Sequence, residues 1–271
     1  MNAVQSYQQL LEAECFLFDL DGTVYLGDQL LPGARELIRY LEKINLDYYF
    51  LTNNSSRSRS DYVQKLAGYG LEVSLERIFS SGMAAALYLQ KRSPGARIYL
   101  VGTPSLEEEF RGYGFQLVEE DPEYVVLGFD TTLTYDKIWK LCDYVREGVP
   151  YIATHPDINC PTPEGFMPDI GAMMALVEAS TGREPDVIVG KPHLPMVEAI
   201  LELTGYQPEQ LVMVGDRLYT DIALGASGLT TALVLSGEAS EEDLPEAPRQ
   251  PDFVFQNLAA LVPVLEENIQ G

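Results

Sequence analysis

Twice in this chain an apolar run stops abruptly in carboxylates, and that pattern constrains the fold more than any other feature. Near the front, Cys15-Phe16-Leu17-Phe18 breaks into Asp19-Leu20-Asp21-Gly22-Thr23. Near the rear, Leu211-Val212-Met213-Val214 breaks into Gly215-Asp216. Short continuous apolar runs bounded by turn formers read as strands buried on both faces. Two further runs end in polar groups, Asp47–Leu51 at Thr52-Asn53 and Asp186–Val189 at Gly190-Lys191. Helical periodicity separates the runs: Leu37, Ile38, Leu41 and Ile44, then Tyr62, Val63 and Leu66, then Met196, Ile200 and Leu203. Strand and helix in alternation predict an α/β fold, a Rossmann-like parallel sheet with helices on both faces. In such a sheet the carboxyl ends of the strands share one edge, where ligands bind.

Asp19 and Asp21 are two apart, so in extended geometry they leave the same face of the strand end. Ionised side by side they repel, a cost that a cation, a proton or a substrate relieves. Gly22 lets the backbone turn sharply with its amides open to an anion, and Thr23 can hold the turn. Asp and Gly are also common turn formers, so this stretch alone leaves open a plain turn after a strand. The same holds elsewhere: Thr52 and Asn53 could cap the next helix, Lys191 could be an exposed lysine, and Asp216 could belong to a turn. Taken together in this order, the groups supply a nucleophile, a second acid, a hydroxyl, an amide, a cation and a metal carboxylate. That inventory suits phosphoryl transfer, which demands positioning and charge neutralisation.

Between the second and third runs the pattern restarts. Strands are expected at Arg97–Val101, Tyr124–Phe129 and Pro150–Thr154, separated by helices near 105–112 and 135–147. The latter puts Ile138, Leu141, Cys142 and Val145 on one face. A Pro-rich loop, His155–Pro168, leads into a helix from Ile170 to Ala179 that Gly182 ends. The chain is therefore divided into a core, 1–82 and 183–271, and an inserted α/β cap domain, 83–182. Residues 1–14 read as an amphipathic lead-in with Tyr7, Leu10 and Leu11 apolar. Asp221 is placed as the N-cap of a helix. Thr231–Leu235 and Asp252–Phe255 are short strands, Glu238–Asp243 a solvated acidic loop, and Leu258–Ile269 a terminal helix.

With 46% hydrophobic residues over 271 positions, the chain can bury a sizeable core. Its net charge of −23 argues against nucleic acid and anionic membrane surfaces as partners, since both need basic patches. Cys15, Cys142 and Cys160 show no CxxC spacing, and no stretch approaches a membrane span. A cytoplasmic protein is the simplest expectation.

The motif residues resemble the haloacid dehalogenase-like phosphatases. Their first motif, DxDGT, stands here as Asp19-Leu20-Asp21-Gly22-Thr23, and the second as Leu51-Thr52-Asn53-Asn54-Ser55. The third stands as Gly190-Lys191-Pro192, and the fourth, GDxxxxD, as Gly215-Asp216 through Asp221. The LTNN form, the GKP form and the large insert resemble subclass IIA, the p-nitrophenylphosphatase-like branch. The resemblance implies a Mg2+-dependent phosphatase for small-molecule phosphate monoesters, working through an aspartyl-phosphate. It makes Asp19 the nucleophile and Asp21 the acid–base. Mg2+ would be held by Asp19, the Asp21 main-chain oxygen and Asp216, with Asp221 behind them. Lys191, Thr52 and Asn53 would grip the phosphoryl oxygens. His155, Asp157 and Asn159 follow an apolar strand of the cap and are its candidate substrate contacts; the alternative is an exposed turn. Proteins of this subclass often pair through their caps, so a homodimer is the assembly the resemblance allows. The rival readings are a phosphoryl-transferring mutase-like relative and a non-enzymatic protein, either a phospho-ligand binder on the same scaffold or a receiver-type signalling module. The receiver reading sits badly with two acids so close on the first strand and with the length of the chain.

Overall fold

The computed structural model describes residues 7–162 and 165–269; residues 1–6 of the expected lead-in lie outside the described residues. In chain order the first elements are α1 (Gln8–Leu11), β1 (Cys15–Phe18), β2 (Tyr25–Leu26), β3 (Gln29–Leu30), α2 (Ala34–Ile44), β4 (Asp47–Thr52), α3 (Arg59–Gly68), β5 (Ile78–Ser80) and α4 (Ser81–Arg92). They are followed by β6 (Arg97–Val101), α5 (Pro104–Gly112), β7 (Gln116–Leu117), β8 (Tyr124–Leu127), α6 (Tyr135–Arg146), β9 (Tyr151–Ala153), β10 (Asn159–Thr162) and β11 (Gly165–Pro168). The chain closes with α7 (Ile170–Thr181), β12 (Val187–Ile188), α8 (Leu194–Thr204), β13 (Leu211–Gly215), β14 (Thr230–Val234), β15 (Phe253–Phe255) and α9 (Leu258–Ile269). It divides into two compact units, Met1–Leu51 with Leu66–Val73 and Leu201–Gly271, and Thr52–Lys65 with Ser74–Ile200.

In the first unit the strands pair in the order β15-β14-β13-β1-β4, all parallel. Each residue of β1 is buried, as its unbroken apolar run requires of a central strand. Phe18 stands opposite Val214 on one side and Phe50 on the other. From β1 the chain steps to β4 on one side and later returns to β13 on the opposite side. The strand order therefore reverses between β1 and β13, which in open α/β sheets marks the ligand crevice. Helix α2 buries Ala34, Leu37, Ile38 and Leu41 and packs on α9.

The second unit has its own parallel sheet, β12-β9-β8-β6-β7. Helix α6 covers it with the expected stripe of Ile138, Leu141, Cys142 and Val145, packed with Tyr99, Val101, Val125, Leu127 and Val177. Gly182 ends α7 in a left-handed conformation, φ 72°.

Three expectations need correction. The run 186–190 was placed on the edge of the first sheet, but Val187 and Ile188 pair with Ile152 and Ala153 of β9. An apolar run specifies a buried strand without naming its neighbour. The Pro-rich loop contains the antiparallel pair β10–β11, with Pro161 opposite Phe166. A two-stranded ribbon is all edge, so the missing proline donor breaks no ladder. Asp221 does stand at the N-cap position, of a 3-10 helix, Ile222–Ser227, but its side chain makes no cap bond; its carboxylate turns back to accept the Arg217 amide at 3.1 Å. Among the described residues no helix is long and apolar enough to cross a membrane.

Candidate active site

The carboxylates of the first unit gather where the strand order reverses. Asp19 follows β1 and its amide donates to the Val214 carbonyl at 2.9 Å, which locks the end of β1 to β13. The next residues fold tightly: the Leu20 carbonyl accepts the amides of Val24 at 2.9 Å and Tyr25 at 3.1 Å. Gly22 takes φ 92°, a conformation that a side chain disfavours. Asp21 is half-buried, and its Oδ2 accepts the Tyr25 hydroxyl at 3.2 Å.

Asp216 follows β13 and is wholly buried. Its Oδ2 accepts the Glu238 amide at 2.7 Å, and Thr23 Oγ1 lies 3.5 Å from its Oδ1. A Cβ on Gly22 would fall 2.2 Å from Asp216 Oδ2, and one on Gly237 2.0 Å from it. The carboxylate thus occupies space that only two glycines leave open. Asp221 is equally buried, and a Cβ on Gly215 would meet its Oδ2 at 2.3 Å. Asp19, Asp216 and Asp221 each offer an oxygen within 4.8 Å of the others. Burial first, and the neighbouring Asp221 carboxylate second, push the Asp216 carboxyl up to about 7. Three buried acids so close repel one another, and an all-oxygen donor set is the chemistry that Mg2+ prefers. The residues present therefore fit a hard divalent cation. Asp221, expected behind the ligands, belongs to this trio. Glu238, read as part of a solvated loop, supplies an amide to Asp216 and pairs with Arg217 at 3.0 Å.

In the second unit the residues named from the sequence form a second polar cluster. Thr52, Asn53, His155, Asp157 and Lys191 are all buried there, whereas Asn159 is exposed on β10. Asn53 Oδ1 accepts the Lys191 amide at 2.8 Å, and Asn53 Nδ2 donates to the Lys191 carbonyl at 3.1 Å. The same Nδ2 reaches the Asp157 carboxylate at 3.3 Å. Thr52 Oγ1 accepts the Asn54 amide at 3.1 Å.

A family model described as haloacid dehalogenase-like hydrolase matches residues 16–116, and a second model of the same kind matches residues 188–261. The chain belongs to the haloacid dehalogenase-like hydrolases. An acid sugar phosphatase of Staphylococcus haemolyticus is 33% identical over 94% of this chain and 97% of its own. A 5'-nucleotidase of Bacillus subtilis is 31% identical over 92% of this chain and 98% of its own. The solved 4-nitrophenylphosphatase of Thermotoga maritima superposes with a TM-score of 0.92 at 49% identity, covering 95% of this chain and 99% of its own. The α/β architecture of this haloacid dehalogenase-like hydrolase is therefore that of subclass IIA.

Sequence reasoning passed over Asp169, Ser81 and Thr154 as site residues. Asp169 does start helix α7, and it is also buried beside His155. No local pattern marks Ser81, whose partners Asn53 and His155 lie 28 and 74 positions away, or ties Thr154 to Ser55, 99 positions away.

Proposed function

We propose that the protein is a Mg2+-dependent phosphatase that hydrolyses small-molecule phosphate monoesters through an aspartyl-phosphate on Asp19. The observation that carries this reading is the buried trio of Asp19, Asp216 and Asp221 at the reversal of strand order. Support comes from relatives named for a sugar phosphate, a nucleotide and 4-nitrophenyl phosphate. Their common element is the phosphoric monoester, and the leaving group varies.

Asp19 attacks phosphorus with one carboxylate oxygen, the bond to the ester oxygen breaks, and Asp21 delivers a proton to that oxygen. Asp21 then takes a proton from the water that attacks the aspartyl-phosphate, returning Asp19 as carboxylate and releasing inorganic phosphate. The Tyr25 hydroxyl on Asp21 Oδ2 steers its other oxygen toward that exchange. Lys191, Thr52 and Asn53 grip the phosphoryl oxygens as charge spreads over them. Bound Mg2+ would neutralise the charge between phosphate and nucleophile. Residues 83–182 act as the cap that excludes water and selects the leaving group. The buried Cys15, Cys142 and Cys160, held as thiols, support a reducing, cytoplasmic setting.

Release of inorganic phosphate from p-nitrophenyl phosphate, a sugar phosphate and a nucleoside 5'-monophosphate tests the proposal, with Mg2+ and with chelator. Wild type is expected to turn over only with the metal, and Asp19→Asn to lose about 10³-fold or more. Transfer of the phosphoryl group to a second ester in place of water would indicate the mutase reading. A stable phospho-protein with no turnover would indicate the receiver reading.

A further inference from the structure

The sequence leaves His155 either a substrate contact of the cap or part of an exposed turn. Within the second unit its imidazole is fully buried, and both ring nitrogens are engaged. Nε2 lies 2.9 Å from Asp169 Oδ1, the oxygen that also accepts the Ile170 amide at 2.7 Å to start α7. Nδ1 faces two hydroxyls, Thr154 Oγ1 at 3.2 Å and Ser81 Oγ at 3.3 Å. The ring therefore has no nitrogen left for an ester. Nor is the site built for a metal, although His155, Asp157 and Asp169 present donor atoms within 4.8 Å of one another. The direct Nε2–Oδ1 hydrogen bond occupies the donor pair that a metal would have to separate.

What the ring does hold is a path to Asn53. The Ser81 hydroxyl donates to the Asn53 carbonyl. The Asn53 side chain, in turn, clasps both the amide and the carbonyl of Lys191. The path is tightly packed as well as bonded. A Cβ on Gly190 would fall 2.6 Å from both Asn53 Oδ1 and His155 Cβ, and one on Gly171 2.5 Å from the Pro156 carbonyl oxygen. The 155–157 loop is thus wedged between the first turn of α7 and the Gly190-Lys191 backbone.

We infer that His155 is a positioning residue: Asp169 orients it, and through Ser81 it fixes Asn53 and, by way of Asn53, the backbone of Lys191. The role rests on the phosphatase reading, in which Asn53 and Lys191 grip the phosphoryl group common to every ester. A positioning role at that group makes a distinctive demand. Loss of His155 must weaken all esters alike, because Asn53 and Lys191, at the end of its path, are the groups that grip the phosphoryl oxygens.

The test compares His155→Ala, Ser81→Ala, Asp169→Asn and the Ser81→Ala/His155→Ala pair. Each is assayed for kcat/KM on p-nitrophenyl phosphate, a sugar phosphate and a nucleoside 5'-monophosphate, and for inhibition by inorganic phosphate. Asp169→Asn keeps an oxygen for the Ile170 amide, and Ser81→Ala removes a single hydroxyl, so these two carry the test should His155→Ala fail to fold. The expected result is a loss of about 10- to 100-fold, equal across the esters, with phosphate inhibition weakened in parallel. The paired variant should be no worse than its more damaged parent, since both changes cut one path. A reordered ranking of substrates would overturn the inference in favour of a leaving-group contact. Additive losses, unchanged phosphate inhibition or stoichiometric bound zinc would overturn it too. Hydrolysis indifferent to Asp19→Asn would strike the phosphatase reading itself, whereas Asp19-dependent hydrolysis with a reordered ranking strikes only the positioning role.

Discussion

Asp216 is wholly buried beside a second carboxylate, Asp221, and the pH dependence of stability should show this. Its carboxyl is raised to about 7 by burial and by Asp221, whereas in the unfolded chain a carboxyl titrates near ~4. The folded state therefore holds a proton that the unfolded state has already lost. That contribution to stability is full below about 4 and is lost as pH rises through about 7. In chelator, Asp216→Asn should melt above wild type at pH 8, and the difference should shrink toward pH 5. Mg2+ added at pH 8 should raise the melting temperature of wild type and leave the variant unmoved. A difference that is constant with pH would show that Asp216 is not strained in this way. Gly22 tests the same pocket sterically. Gly22→Ala adds a methyl 2.2 Å from Asp216 Oδ2 at φ 92°, so it must displace the carboxylate or the turn. The Mg2+ concentration for half-maximal activity should rise about tenfold or more, while a left-handed alanine costs only about 1–2 kcal/mol of stability. Unchanged Mg2+ activation would mean that the turn yields without moving Asp216.

The secondary-structure elements divide by what a local pattern can specify. Strand β1 and helices α6 and α7 were legible because burial has a period: four apolar residues in β1, a 3-4 spacing from Ile138 to Val145, and a glycine after α7. The same logic predicts a contrast along α6. Leu141→Ala, wholly buried, should cost about 2–5 kcal/mol in chemical denaturation. Trp139→Ala, 59% exposed and in edge contact with Tyr135, should cost far less despite removing a larger group; equal losses would mean that the outer face of α6 is also packed. What was not legible depended on partners. Nothing in Val187-Ile188 says that it pairs with β9, and nothing around Asp221 says that its carboxylate prefers the Arg217 amide to its own helix. The candidate site divides the same way. Asp19, Asp21 and Asp216 announce themselves by ending apolar runs, so local sequence is enough to nominate them. Ser81 and Asp169 acquire their roles only through His155 and Asn53, far away along the chain, and only tertiary structure could pair them.

At the scale of the whole molecule the dominant fact is charge. A net charge of −23 surrounds a protein whose proposed substrates are themselves anions. The groups proposed to grip phosphate act at contact range, where Lys191 is buried and poorly screened. The repulsion, by contrast, acts through solvent over many ångströms and is the part that salt can remove. Raising ionic strength from 10 to 100 mM at constant free Mg2+ shortens the Debye length from about 30 Å to about 10 Å. It should therefore raise kcat/KM for a dianionic ester a few-fold, through KM, and leave kcat unchanged. The sign is opposite to that of an enzyme which steers its anionic substrate with a basic surface, where salt slows capture. A fall in kcat/KM with salt would mean that local positive potential outweighs the acidic surface at the point of entry. A change in kcat would mean that salt reaches the buried carboxylates themselves, which their burial argues against.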